Sequence, residues 1–553
     1  KGGPKDPNTI KAAEEPLKEL NDDIGPKAVE GDLNGLKRLI EDLKHHHPLV
    51  RDKAFTWLLK VKDDKAIDWL LKDGLKDPDG EVRADIAEAM QLGGVKRAVP
   101  ALLKLLSSDK ENRPFLISVI GDLGGKENAD AVAAEAKRGK EARTRAEAIE
   151  ALAKLDKEAC VAHAKPGATD SEWQVRVASM RALAGIDEDG AFDGALANLK
   201  ERRADQEKKK KNAWQPAFFA VKVLLGLEQR EKRADGLKDA LDQLVALLKV
   251  EHGRMKHEIA NALRALVGKP DMDDDPKAWE EFWAVKRTSY APKDTPRKQP
   301  PPLPSGKKGK KKGKDSGGEG GDAASDGGAP NGLEGGGGGD DGAVGTAVRY
   351  HGIPVWRDRV AFVIDLSGSM KNDMEVPAPE GEKGEKSGET GDRPGTVTRR
   401  KIDVSKDELV KTVNSLPEDV MFNIVTFSTD VKTWQKAIVA ASKSAKASAD
   451  DFTGKLDIEG RTNFFGALSK PLEDPLVDTV FFLTDGGTAT DGKFIDQRRI
   501  VRKLHELNKF ALVEINCLLF GEEGHVSGGA LRWMEELSSE SNGRFYIRPE
   551  PKK

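Results

Sequence analysis

The sequence predicts a multidomain protein with an N-terminal all-α solenoid and a C-terminal α/β domain on a doubly wound parallel sheet. A length of 553 residues exceeds what one hydrophobic core usually supports. Helical apolar periodicity recurs in the first half, and strand patterns alternate with helical patterns in the last third. The expected segments are a tail (1–25), a solenoid (26–287), a disordered linker (288–345) and the α/β domain (346–550).

Arginines recur at intervals of about 31 residues in the N-terminal region, at positions 51, 83, 113, 145 and 176. Each precedes apolar residues three or seven positions later, which marks one helical face. Two-helix units of this size cannot bury their faces alone, so we expect them to stack. The turn 77–80 followed by Val82-Arg83 resembles HEAT repeats. We expect each arginine to pair with an acid of a neighbouring repeat.

The solenoid is expected to end at a helix that carries Trp279 and Trp283, four residues apart on one face. These rings are predicted to cover the apolar surface of the last repeat. Residues 288–345 follow with Pro-rich, Lys-rich and Gly/Asp-rich stretches, and their few apolar residues predict disorder. The basic run 307–314 is interpreted as part of a soluble tether, with contact to phosphates as the alternative.

Bulk composition excludes several classes of protein. A net charge of -3 gives no reason to expect a nucleic-acid partner. No apolar run reaches the ~18 residues of a transmembrane helix. Cys160 and Cys517 fall in different predicted domains, so we expect two buried thiols and no disulfide.

The C-terminal region contains four continuous apolar segments that predict buried strands, and one shorter edge strand. The buried strands are 359–365, 421–427, 480–485 and 511–520, and the edge strand is 544–547. Helical patterns lie at 406–416, 464–469, 497–507 and 531–537. This alternation predicts a mostly parallel sheet, in which ligands bind at the carboxyl ends of the strands.

Polar residues cluster at those strand ends. Asp365, Ser367 and Ser369 follow the first strand, Asp485 closes the third, and Thr462 lies at the start of a helix between them. In this order the residues resemble the von Willebrand factor A (integrin I-like) family. The resemblance implies a complete metal-ion-dependent adhesion site made of these five residues.

Hydroxyl and carboxylate oxygens suit Mg²⁺, which prefers about six oxygen ligands. Ligand type leaves Mn²⁺ and Ca²⁺ possible, and the lack of a placed His or Cys argues against Zn²⁺. The resemblance implies that the aspartates act largely through bridging waters, so that the metal stays electrophilic. It also implies that a Glu or Asp of a partner protein completes the coordination shell.

Residues 371–400 interrupt the family pattern with a Gly-, Pro-, Glu- and Lys-rich insertion that we expect to be flexible. One hypothesis is that Glu375, Glu380 or Glu382 occupies the open coordination position in cis. The alternative is a loop that only widens the rim of the site.

The function predicted from sequence is a non-enzymatic adaptor, in which a second protein partner binds the solenoid. No histidine is placed by motif as a base, and no Walker A sequence is present. The alternatives are a metal-dependent hydrolase that uses the same aspartates, an accessory subunit of an ATPase or chelatase complex, and a structural solenoid with a vestigial domain. A first residue other than Met and an adhesion-type module favour secreted or periplasmic localisation after leader cleavage.

Overall fold

The computed structural model describes residues 10–208, 210, 212–295, 348–355, 358–377, 396–486, 497–520 and 528–548. A helical repeat region precedes a mixed α/β domain, as predicted. The linker residues 296–347 lie outside the described residues.

Helices α1 to α17 make up the described part of the N-terminal region, and from α4 onwards they form pairs. Their bounds are α1 Ile10–Glu19, α2 Gly25–Val29, α3 Leu33–Asp42, α4 Pro48–Leu58, α5 Asp64–Lys72, α6 Gly80–Leu92, α7 Val99–Leu105, α8 Arg113–Leu123, α9 Ala129–Arg138, α10 Ala142–Leu155, α11 Lys157–Gly167, α12 Trp173–Ala184, α13 Glu188–Glu207, α14 Gln215–Gly226, α15 Ala234–Leu248, α16 Gly253–Val267 and α17 Pro276–Lys286. The segment expected as a tail (1–25) is instead helical from Ile10, and Ala13 of α1 with Leu20 and Ile24 of the following turn is buried in the core of the helical region.

The repeated arginines bind the turns that connect the helices. Each arginine was expected to pair with an acid of a neighbouring repeat, and Arg83 donates through Nε to Asp109, in the turn that leads to the next repeat, at 2.7 Å. Arg145 makes the equivalent contact with Asp170, in the turn between α11 and α12, at 3.0 Å. Arg176 instead pairs with Glu201 on the second helix of its own repeat. Arg51 donates to the carbonyl of His45, and Arg113 donates to that of Leu106.

Both tryptophans of α17 are buried, as predicted for the end of the solenoid. The Trp279 indole donates to the carbonyl of Asp273 at 2.8 Å, and the Trp283 indole donates to Asp242 Oδ1 at 2.7 Å. Cys160 and Cys517 are buried free thiols, which also agrees with the sequence analysis.

The described C-terminal residues form a seven-stranded sheet, a two-stranded pair and a two-stranded hairpin. The strands are β1 Arg349–Tyr350, β2 Ile353–Pro354, β3 Arg359–Asp365, β4 Asp373–Pro377, β5 Thr396–Arg400, β6 Met421–Phe427, β7 Val431–Thr433, β8 Val439–Ala440, β9 Thr479–Thr484, β10 Glu514–Phe520 and β11 Phe545–Arg548. The sheet runs in the order β11-β10-β9-β3-β6-β7, with β8 also paired to β6. Strands β11 to β6 are parallel, and β7 and β8 are antiparallel to β6.

Helices cover both faces of the sheet. Side chains of a strand alternate between the two faces, so each strand contributes to a core on either side. The helices are α18 Lys401–Ser415, α19 Lys443–Gly454, α20 Phe464–Leu472, α21 Gln497–Ala511 and α22 Gly528–Glu540. Ala361 and Val363 of β3 share a core with α20, α21 and α22. Phe362 and Ile364 point the other way and share a core with α18 and α19.

The ends of the insertion form an antiparallel hairpin, in which Asp373 lies opposite Arg400 and Val376 opposite Val397. Its tip, residues 378–395, lies outside the described residues. Glu375 is an exposed residue of β4, whereas Glu380 and Glu382 belong to that tip. Strand β5 runs directly into helix α18, so the hairpin fixes where that helix begins.

The α/β domain packs on the first helices of the solenoid repeats. Arg498, Arg499 and Arg502 of α21 converge on Asp85 of α6 at 2.8, 2.6 and 2.9 Å. Further along α21, Lys509 lies 2.7 Å from Glu150 of α10.

The same interface reaches the amino-terminal edge of the sheet. The Trp214 indole donates to the carbonyl of Val477, just before β9, at 3.4 Å. Arg254 donates to the carbonyl of Leu512, just before β10, at 2.6 Å. Arg359 at the start of β3 lies 3.4 Å from the buried Glu251. The solenoid therefore contacts the edge of the sheet opposite to the carboxyl ends of its parallel strands.

Candidate metal centre

Two aspartates lie at the carboxyl edge of the sheet, on neighbouring strands. Strands β3 and β9 pair in parallel from Val360↔Thr479 to Ile364↔Leu483. Asp365 is the last residue of β3, and Asp485 directly follows β9. The parallel register therefore brings together two carboxyl groups that are 120 residues apart in the sequence.

Asp365 is completely buried and is held by two hydrogen bonds. Its Oδ1 accepts from the backbone N–H of Ser367 at 2.7 Å, and its Oδ2 accepts from the Thr484 hydroxyl at 2.6 Å. Burial raises the pKa of Asp365 to about 7, and the charge of Asp485 adds to that rise. A cation close to this carboxylate would offset both effects, since it stabilises the ionised form.

Two serines connect the strand ends. The Ser369 hydroxyl donates to Asp485 Oδ1 at 2.7 Å, and the Ser367 and Ser369 hydroxyl oxygens lie 3.2 Å apart. Ser367 and Asp485 are both buried. The structure therefore brings four of the five predicted residues into one hydrogen-bonded group.

The fifth predicted residue, Thr462, is 1% exposed and lies on the loop that precedes α20. The backbone of this loop contacts the loop after β3. The N–H of Glu459 donates to the carbonyl of Leu366 at 2.9 Å, and the N–H of Gly368 donates to that of Gly460 at 3.3 Å. The two loops are thus held side by side at the carboxyl edge of the sheet.

Two further residues belong to this group and were missed by the sequence analysis. Thr484 donates to Asp365, and the Lys401 ammonium lies 3.0 Å from Asp485 Oδ2. Thr484 could have been identified from the sequence, because it directly precedes Asp485. Lys401 gave no comparable signal, because it follows the insertion and is separated from Asp485 by 84 positions.

The chemistry of this donor set fits a hard divalent cation. It offers neutral hydroxyl oxygens and two carboxylates, with no softer ligand. No cluster of three or more His, Cys, Asp or Glu side chains suited to a metal occurs among the described residues, which argues against a carboxylate-rich cage elsewhere in them. Nor does any described helix have the length and apolarity to cross a membrane.

Models of known protein families match parts of both regions of the chain. Residues 396–547 match the model of the von Willebrand factor type A domain family, and residues 36–114 and 70–153 match that of HEAT repeats. The C-terminal region is a mixed α/β von Willebrand factor A (vWA) domain, and the helical repeat region before it matches HEAT repeats over residues 36–153.

The chain is similar to inter-alpha-trypsin inhibitor heavy chains over part of its length. It is 29% identical to heavy chain H3 of Mus musculus over 122 residues, which cover 22% of this chain and 11% of the relative. It is 24% identical to heavy chain H1 of Homo sapiens over 199 residues, which cover 34% of this chain and 18% of the relative. The chain thus spans less than a fifth of either relative.

Among solved structures, a von Willebrand factor type A protein from Catenulispora acidiphila is 15% identical, with a TM-score of 0.25. That match covers 36% of this chain and 40% of the other. The conserved hypothetical protein BatB from Bacteroides thetaiotaomicron is 14% identical, with a TM-score of 0.23. It covers 34% of this chain and 88% of the other.

Proposed function

We propose that this protein is a non-enzymatic adaptor whose vWA domain captures an acidic residue of a partner protein through Mg²⁺. The residues proposed to hold the metal are Asp365, Ser367, Ser369, Thr462 and Asp485. One observation carries the proposal. The Ser369 hydroxyl bonds Asp485 at 2.7 Å across 116 residues of sequence, which joins the loops after β3 and β9.

The residues of this chain prepare the site in three ways. Two hydrogen bonds fix the orientation of the Asp365 carboxylate, so little side-chain freedom is lost when a cation binds. The serine and threonine hydroxyls supply neutral oxygens. With only two carboxylates, a bound divalent cation keeps a positive character and attracts a carboxylate from outside. Mn²⁺ and Ca²⁺ also accept oxygen ligands and are compared in the same titrations.

The second protein partner is proposed to bind the second helices of the solenoid repeats. Residues of the first helices contact the vWA domain, as Asp85 of α6 and Glu150 of α10 do. A partner that approaches the second helices meets a surface outside that interface. The adaptor would then carry one partner on the solenoid and one at the metal.

Isothermal titration of the full chain with MgCl₂ tests the metal site. We expect one site in the wild type, and Asp365→Asn should weaken binding by at least about tenfold, or about 1.4 kcal/mol. Asp451→Asn is the matched control, because Asp451 pairs with Lys455 on the exposed face of α19. Equal Mg²⁺ binding by the wild type and Asp365→Asn would contradict the proposal.

Partner capture and catalysis are separated by two further measurements. A protein captured in the presence of Mg²⁺ should elute with EDTA and should not be retained by Asp365→Asn. The hydrolase alternative instead predicts turnover of ester or phosphate substrates that is lost in Asp365→Asn. Binding of an ATPase that persists in EDTA would point to an accessory subunit that does not use this site.

A further inference from the structure

A lysine is built into the candidate metal centre. The ammonium of Lys401 lies 3.0 Å from Asp485 Oδ2, and its side chain is only 13% exposed. The other oxygen of Asp485 accepts from Ser369, so a cation and a hydroxyl bind the two sides of this carboxylate. The proposed function assigns no role to this contact.

The fold fixes the position of Lys401 from two sides. It is the first residue of α18, and its backbone N–H donates to the carbonyl of Asn372 at 3.0 Å. Strand β5 of the insertion hairpin ends at Arg400, immediately before it. The hairpin therefore delivers the lysine to the end of β9.

We propose that Lys401 is a tethered cation that neutralises part of the aspartate pair and competes with the divalent ion for it. This inference rests on the proposed function. Asp365 and Asp485, when both ionised, carry two negative charges, and Lys401 reduces them to one. A divalent ion would then leave the centre with one net positive charge, whereas without the lysine the filled centre would be neutral.

Two opposite consequences follow from this charge count. Lys401 weakens binding of the divalent ion, because like charges repel in a buried site. It strengthens capture of a partner carboxylate, because only the filled centre with its lysine is positive. With the lysine present, the centre carries one net negative charge before loading and one net positive charge after it, so that an acidic partner distinguishes the two states.

Three substitutions separate the effect of the Lys401 charge from the effect of its side-chain packing. Lys401→Met removes the ammonium and keeps an unbranched chain, and Lys401→Arg keeps the charge. Lys406→Met is the matched control on the same helix, because Lys406 donates to the carbonyls of Gly454 and Leu456 and not to the aspartates. Lys401→Gln replaces the Met variant if thermal unfolding shows that the latter does not fold.

Calorimetric titration of the full chain with Mg²⁺ alone is the first measurement. We expect Lys401→Met to bind Mg²⁺ about tenfold more tightly than the wild type, and Lys401→Arg and Lys406→Met to stay within about twofold. Mg²⁺ affinity that is unchanged or weaker in Lys401→Met, while the wild type binds, overturns the inference and leaves the proposed function standing. Absence of Mg²⁺ binding in every variant overturns both.

A glutamate hexapeptide at saturating Mg²⁺ is the second probe. We expect Lys401→Met to bind this peptide more weakly than the wild type, although it binds the metal more tightly. Equal or tighter peptide binding by Lys401→Met would refute the proposed role in capture.

Discussion

At the scale of single residues, His351 shows how burial creates sensitivity to pH. Its ring contacts Tyr350 and Phe520, with centroid distances of 4.6 and 4.9 Å. Its backbone has a φ of 48°, a left-handed conformation that few residue types other than Gly, Asn, Asp and His adopt easily. Burial lowers the pKa of His351 to about 3, and Arg548 and Lys411 add to that shift.

We predict that acid destabilises the vWA domain through His351. Below the ordinary pKa of 6.5, the unfolded chain binds a proton that the folded chain excludes until its own pKa near 3. The contribution of His351 to the free energy of unfolding therefore falls as the pH falls through this window, by up to about 1.4 kcal/mol per pH unit, whereas Asp365, whose pKa is raised, contributes in the opposite direction. Urea unfolding between pH 4 and 7 measures the slope.

His351→Asn tolerates the left-handed backbone and removes the titrating ring. We expect it to be less stable at pH 7, because ring packing is lost, but to show a shallower dependence on pH. A slope equal to that of the wild type would show that other groups cause the acid sensitivity.

At the scale of elements, the loop that carries Thr462 depends on Gly460. This glycine has a φ of 59°, and a Cβ built there would collide with the Thr429 side chain. The same Thr429 hydroxyl accepts from the N–H of Arg461 at 3.0 Å. A side chain at position 460 would therefore strain the backbone and displace the anchor of the loop.

We predict that Gly460→Ala lowers the free energy of unfolding by about 1–3 kcal/mol, because both backbone strain and a collision are introduced. Mg²⁺ affinity should fall as well, since the loop bonds Leu366 and Gly368 beside the aspartates. Gly454→Ala is the control, because open space surrounds that position. Chemical denaturation and calorimetry would detect the difference, and equal stability of the two variants would contradict the prediction.

Elements with strong local patterns were predictable from the sequence. The bounds predicted for β3 and β6 agree with the structure, because continuous apolar runs reflect burial on both faces. Helix α19 was missed, since its Ala-, Ser- and Lys-rich sequence has no clear apolar period. The segment 511–513 was predicted as strand, but α21 extends to Ala511 and β10 begins at Glu514.

At the scale of the whole molecule, buried charges join the two domains. Asp85 is fully buried under three arginines of α21. Burial by itself would raise the pKa of Asp85, but the arginines outweigh it and hold the pKa below its ordinary value. The carboxylate thus stays charged within the interface and needs its partners there.

We predict that Asp85→Ala lowers the free energy of unfolding by about 3–5 kcal/mol, because three guanidinium groups lose their shared buried counterion. Scanning calorimetry should show that the solenoid and the vWA domain no longer unfold together. Asp68→Ala is the control, since Asp68 pairs with Arg97 on the exposed surface. A single transition at the wild-type temperature in Asp85→Ala would show that this cluster does not couple the domains.

The sequence by itself determined the repeats, the buried strands of the sheet and the residue types at the strand ends. These features rest on local periodicity and on short motifs, which a single segment of chain can carry. It also named Asp365, Ser367, Ser369 and Asp485, which the structure brings together.

Only the tertiary structure decided that Lys401 reaches Asp485 and that α21 lies on the first helices of the solenoid. The Asp85–Arg499 contact joins residues 414 positions apart, and no local pattern encodes such a pairing. Each charge alone is compatible with a solvated surface, so its role depends on which opposite charge the folded backbone places beside it.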